Sequence, residues 1–195
     1  MNRIANFLMM FVVCPAALLA ACATTTTDRL GLPPLEAVPQ VDLSRYVGTW
    51  YEIASFPQRF QKGCTGTTAN YTLQEDGEIR VLNRCRKGSL QGKEDSAEGR
   101  ARVTDPVTNA KLEVTFFWPF WGEYWIVDLD PDYQFAVVGH PGRDYLWILS
   151  RTPSMEKEVY TDILERLRNK SYQVERLQRT VQPQAESVGA SPHEG

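Results

Sequence analysis

The stretch "VGTWYEIASF" (residues 47–56) sets a glycine two places before a tryptophan and follows both with residues that favour extended backbone. Its Trp, Tyr, Ile and Phe read as a β-strand over 49–56. A strand that opens with Gly48 and then spends Trp50 at once implies a crowded end, where backbone passes close to a large ring.

Working outward, the same punctuation recurs. Further strands are expected at 66–74, 78–86, 97–104, 110–118, 123–129, 134–140 and 144–150. The breaks between them carry turn chemistry: Asp76-Gly77, Asp105-Pro106, Pro119 with Gly122, Asp130-Pro131 and Pro141-Gly142. In "AKLEVTFF" the apolar Leu112, Val114 and Phe116 interleave with Lys111, Glu113 and Thr115, which gives one apolar and one wet face. Short turns make neighbours antiparallel. Eight strands leave two bare edges unless the sheet closes, so an all-β, eight-stranded antiparallel up-and-down barrel is expected. An immunoglobulin-like sandwich competes, but it needs long cross-sheet connections. One helix follows, "SMEKEVYTDILERLRNK" (154–170), with Ser154 as N-cap. Its stripe of Val159, Ile163, Leu164 and Leu167 must be buried outside the barrel. The alternation in 172–177 suggests a short ninth strand.

The front end reads "MNRIANFLMM FVVCPAALLA AC", with a basic residue, Arg3, and an apolar run from Phe7 to Leu19 that is short for a membrane span. Leu19-Ala20-Ala21-Cys22 resembles the lipobox of bacterial lipoproteins, which implies cleavage before Cys22 and acylation of that residue. An ordinary secretory peptide cleaved at "ALLAA" is the alternative. Several acyl chains would anchor the chain where one would be marginal. Ala23 after the cysteine implies, by the same resemblance, the outer membrane, with the domain facing the periplasm. Residues 1–21 are thus a signal peptide, 22–43 a lipidated cysteine and flexible tether, 44–177 the barrel domain, and 178–195 a disordered tail.

Losing residues 1–21 removes one of the 21 Lys and Arg and none of the 24 acids, so the net charge moves from −3 to about −4. A mildly acidic chain without basic clusters argues against nucleic acid as partner. Cys64 and Cys85 are the two thiols left in an oxidising compartment, and a disulfide is the default. Simple register opposes it. A two-residue turn at Asp76-Gly77 sets Cys85 opposite Thr68 and leaves Cys64 on the order of 13 Å away, beyond the ~7 Å limit, unless a bulge or longer turn intervenes. With two histidines in the chain and no ligand spacing, no metal and no cofactor is expected.

Three motifs in order, "GTWYEIA" (48–54), the acidic turn "DLDPDY" (128–133) and "ILSRTP" (148–153) before a helix, resemble the lipocalin family over roughly residues 44–177. The stretches "GTWYEIASF", "FFWPFWGEYWIV" and "RDYLWILSRTP" look especially like the bacterial outer-membrane lipoprotein members. The resemblance implies that Trp50 plugs the closed end, that Gly48 gives the backbone room beside it, and that Arg151 lies across the indole. An eight-stranded barrel can hold one small ligand, and with the lipobox and the aromatic lining the expectation is a fatty acid or lysophospholipid, carried without catalysis by a monomer or dimer.

By strand parity the expected lining is Ala69, Tyr71, Val81, Asn83, Leu112, Val114, Phe116, Tyr124, Tyr145 and Trp147, with Phe56 and Phe60 flanking the first loop. The segment "FFWPFWGEYW" (116–125) puts Trp118, Phe120 and Trp121 at a loop tip, around the mouth or against lipid. Two alternatives stay open. The aromatics could fill the barrel and leave a structural envelope protein. Cys85 shares parity with Val81 and Asn83, so a lumenal thiol could serve a thiol-dependent isomerase.

Overall fold

The period-2 segments form eight antiparallel strands in a computed structural model that describes residues 31–184. Residues 1–30, with the expected signal peptide and Cys22, and the part of the expected tail beyond 184 lie outside the described residues. The strands are β1 (Gly48–Ser55), β2 (Cys64–Leu73), β3 (Ile79–Lys87), β4 (Glu94–Val103), β5 (Lys111–Phe117), β6 (Phe120–Leu129), β7 (Phe135–Gly139) and β8 (Leu146–Ser150). Each pairs with its neighbour in sequence, and β1 pairs with both β2 and β8, which closes the barrel. Helix α1 (Leu43–Tyr46) sits at the end where β1 begins, and α2 (Lys157–Asn169) follows β8. The 74–78, 104–110 and 130–134 turns share the α1 end, the closed one; the loops at 56–63, 88–93, 118–119 and 140–145 rim the open one.

Two apolar layers result. The interior holds Trp50, Tyr71, Ile79, Val81, Leu112, Ile126, Val138 and Leu149. The outer layer packs Leu146, Ile148, Val127 and Val137 against Ile163 and Leu167 of α2, so the helix stripe is buried on the barrel wall as its spacing requires.

Several boundaries differ from the sequence reading, each for a physical reason. β4 starts at Glu94 rather than 97, because "EDS" joins the sheet through ion pairs across to β3, Arg86–Glu94 and Lys87–Asp95. The helix begins at Lys157 with Glu156 at its N-cap position, not Ser154, and Val159 is exposed. Residues 172–177 are not a strand; a 3-10 turn occupies Val174–Arg176. The ninth strand, β9 (Gln178–Arg179), lies in the segment expected to be tail and pairs with the end of β1, where β2 has diverged. Gln182 then bridges the gap, its Nε2 donating to the carbonyls of Glu52 and Thr67 at 2.8 Å each. Part of the expected tether also packs: Leu35 and Val41 are buried, and the Val38 and Val41 amides donate to the carbonyls of Ile126 and Thr108.

Candidate functional site

The barrel floor is built around Trp50, which is fully buried. Its Nε1 donates to the Tyr46 carbonyl at 2.8 Å, and the Arg151 guanidinium lies 3.7 Å from its ring centroid. Arg151 also donates to the carbonyls of Thr49, Arg45, Tyr46 and Tyr133, which ties α1, β1 and the β6–β7 turn into one cap. Burial lowers the Arg151 pKa from its ordinary value. Gly48 has φ +94°, and a Cβ there would meet Arg151 Nη1 at 3.4 Å, so a glycine serves both the left-handed backbone and the close approach.

Above the floor, three tyrosines from distant elements meet. The Tyr124 hydroxyl lies 2.7 Å from that of Tyr46 and 2.9 Å from that of Tyr71. Burial raises all three pKa values, that of Tyr71 to about 12, so the hydroxyls are neutral donors at physiological pH. Three hydroxyl hydrogens serve two hydrogen bonds, so one donor remains for a further oxygen.

Nearer the mouth the wall turns polar. Asn83 pairs with Ala69 and with Ala97, which places all three on the lumenal face. Asn83 Oδ1 and the hydroxyl of buried Thr67 have no hydrogen-bond partner among the described residues. Gln61, from the first loop, accepts from Trp147 Nε1 at 3.0 Å and donates to the buried Glu52 carboxylate at 2.7 Å. The hydroxyls of Ser55 and Thr180 donate to the same carboxylate. Ala97 is exposed despite facing inward, and Ala69, Asn83, Val114, Tyr124 and Trp147 are only half-buried, so the upper interior is open.

Of the expected lining, Ala69, Tyr71, Val81, Leu112, Val114, Tyr124 and Trp147 belong to the interior layer, and Asn83 joins them by register. Phe116 is 43% exposed at the mouth, its ring against Gly99, where a Cβ would come within 2.7 Å of it. Tyr145, 39% exposed, stacks on Trp147 with centroids 5.9 Å apart. Phe60 is 66% exposed on the first loop, at the rim of the open end. Phe56 is a correction. It is fully buried in the outer layer, edge-on to Tyr172 and beneath Arg176. A bulge between Glu52 and Ala54 shifts the register against β8 and turns Ala54 and Phe56 outward.

The cysteines are bonded, Cys64 to Cys85, with Cα atoms 5.4 Å apart. Register shifts explain what simple pairing forbade. Leu73 pairs with Ile79 around a longer turn, and a bulge between Thr65 and Thr68 brings Cys64 opposite Lys87.

Sequence reasoning missed Tyr46, Glu52, Gln61 and Thr67. Glu52 was within reach, since it shares strand parity with Trp50 ahead of the bulge. Gln61 had no signal, being a loop residue folded over the mouth.

Comparison with known proteins supplies the context. Residues 41–182 match the lipocalin-like domain family. Temperature-induced lipocalin-1 of Arabidopsis thaliana is 45% identical over 157 residues, covering 76% of this chain and 83% of that one. Outer membrane lipoprotein Blc of Escherichia coli K12 is 40% identical over 168 residues, covering 86% and 92%. Apolipoprotein D of Mus musculus is 34% identical over 179 residues, covering 85% and 92%. Among solved structures, insecticyanin of the tobacco hornworm superposes with a TM-score of 0.62 at 23% identity, covering 78% of this chain and 86% of that one, a likeness of fold alone.

Proposed function

The chain belongs to the lipocalin family, and from that premise we propose that it is a membrane-anchored carrier that takes a fatty acid or lysophospholipid into its barrel and does no chemistry on it. The observation that carries this reading is the interior wall, apolar around Val81, Leu112 and Val138 but holding polar atoms with bonding capacity to spare. An acyl chain against that wall gains about 0.8 kcal/mol per buried methylene. A head group supplies oxygens and hydroxyls for the spare tyrosine donor and for Thr67 and Asn83. A single-chain amphiphile has both parts.

The lipobox-like "LAAC" at 19–22, with Ala23 behind it, supports an acyl anchor and an outer-membrane location facing the periplasm, and the bacterial relative is consistent with it. The Cys64–Cys85 bond supports the carrier reading over the isomerase alternative, since it occupies the thiol that alternative would use.

The test is tryptophan fluorescence of the protein titrated with palmitate and with a lysophospholipid. Trp147 lies on the lumenal wall, so saturable one-to-one quenching is the expected result. A flat trace with both ligands would favour the filled barrel instead, and native mass spectrometry without any lipid adduct would agree with it.

A further inference from the structure

The exposed rings are not scattered. The exposed aromatic residues of the described chain are Phe60, Phe116, Phe117, Trp118, Phe120 and Tyr145, and all six lie at the open end. Phe60, Phe117, Trp118 and Phe120 are 66–78% exposed, and Phe117 stacks parallel to Phe120 across the β5–β6 tip. Together they present on the order of 500 Å² of apolar surface, at the upper range for a soluble monomer. The closed end shows Leu73 and Val107 instead.

Charge divides along the same axis. The closed-end turns carry Glu75, Asp76, Glu78, Asp105, Asp130 and Asp132 with no Lys or Arg. The open-end loops carry the exposed cations Arg59, Lys62 and Lys93 against one acid, Asp144. Among the described residues none of these three cations is ion-paired.

The N-terminal segment 33–41 runs along the barrel as a strap. Arg143 Nη2, in the open-end loop between β7 and β8, donates to the Pro33 carbonyl at 2.8 Å. From there the strap descends past Ile126, bonded to Val38, to Thr108, bonded to Val41, at the closed end. The chain therefore leaves the barrel at its mouth. Cys22 is eleven residues before Pro33, a reach of at most ~40 Å.

We propose that the open end is a membrane-docking face, on which the rim of Phe60, Phe117, Trp118 and Phe120 enters the acyl layer of the anionic leaflet that holds the Cys22 anchor. This rests on the anchor reading above. Strap, rings and cations all point the mouth toward that leaflet. A lipid then passes between bilayer and lumen without crossing water, and each cation near the surface strengthens docking about fivefold. The acidic closed end is held away from the leaflet by the same field.

The experiment uses full-length protein purified with its N-terminal modification and reconstituted into vesicles of phosphatidylcholine and phosphatidylglycerol. Nitroxides are placed by Trp118→Cys at the rim and, separately, by Val107→Cys at the closed end; three rim rings remain in the first variant. The rim label should sit ~5–10 Å below the headgroup boundary, shielded from an aqueous nickel relaxant and open to oxygen, while the closed-end label shows the reverse. In the added background Phe60→Ser, Phe117→Ser and Phe120→Ser, the rim label should return to water. If mass spectrometry finds Cys22 unacylated, the anchor reading falls and takes the tethered geometry with it. Acylated, vesicle-bound protein whose label at 118 is as open to nickel as that at 107 would overturn the docking face alone. Strong spin–spin coupling between rim labels at every lipid ratio would also overturn it, in favour of a second copy seated on the rim.

Discussion

Replacing Tyr124 by Phe tests the interior site most sharply, because that hydroxyl is the shared partner of two others. Tyr124 bonds Tyr46 at 2.7 Å and Tyr71 at 2.9 Å, whereas Tyr46 and Tyr71 each bond Tyr124. Tyr124→Phe therefore leaves two hydroxyls in the interior without their partner, at about 1–3 kcal/mol each, or about 2–6 kcal/mol in all. Tyr46→Phe removes one hydrogen bond and leaves the other pair intact, at about 0.5–1.5 kcal/mol. Urea unfolding followed by fluorescence measures both, and at this chain length each kcal/mol moves Tm by about 2–4 °C. The central variant should be destabilised at least twice as much as the terminal one, and it should also bind a fatty acid or lysophospholipid less tightly. Equal costs in the two variants would refute the shared-partner geometry. A large cost with unchanged ligand affinity would remove the trio from the binding site while leaving it in the core.

Trp50→Ala should cost about 3–5 kcal/mol in the same assay, since it empties the floor and strips Arg151 of its ring. Reducing the Cys64–Cys85 bond, which closes a loop of 21 residues, should cost about 3 kcal/mol; a shift in midpoint well under 1 kcal/mol after reduction would contradict that. Alkaline stability follows from the tyrosines. Below the ordinary value of 10.0 both states hold the Tyr71 proton, so this group adds no pH dependence there. Above it the unfolded chain loses that proton first, and stability falls until the folded value of about 12 is passed, by about 3 kcal/mol from this group. Denaturation midpoints between pH 9 and 12 should show that decline, and Tyr71→Phe should make it shallower by this group's share, while Tyr46 and Tyr124 keep theirs.

The closed all-β architecture was legible in the chain because its carriers are local. Alternation in 110–118, turn pairs such as Asp76-Gly77 and the motifs "GTWYEIA" and "ILSRTP" are each contained within a few residues. Polar strand residues were harder to see. The start of β4 at Glu94 depends on partners in β3 that local pattern cannot name.

By itself the sequence determined the strand period, the helix stripe and the lipobox-like front end, all properties of neighbours along the chain, while the floor of Gly48, Trp50 and Arg151 followed from the family resemblance. Only the tertiary structure decided which way Phe56 faces, because one bulged residue in β1 reverses every side chain after it. It alone brought Cys64 within reach of Cys85, through a longer turn and a second bulge that change the register. It also joined Tyr46, Tyr71 and Tyr124, which stand far apart in sequence, and led the strap from the closed end back up to the mouth. Register and closure belong to the whole sheet, and no window of the chain contains them.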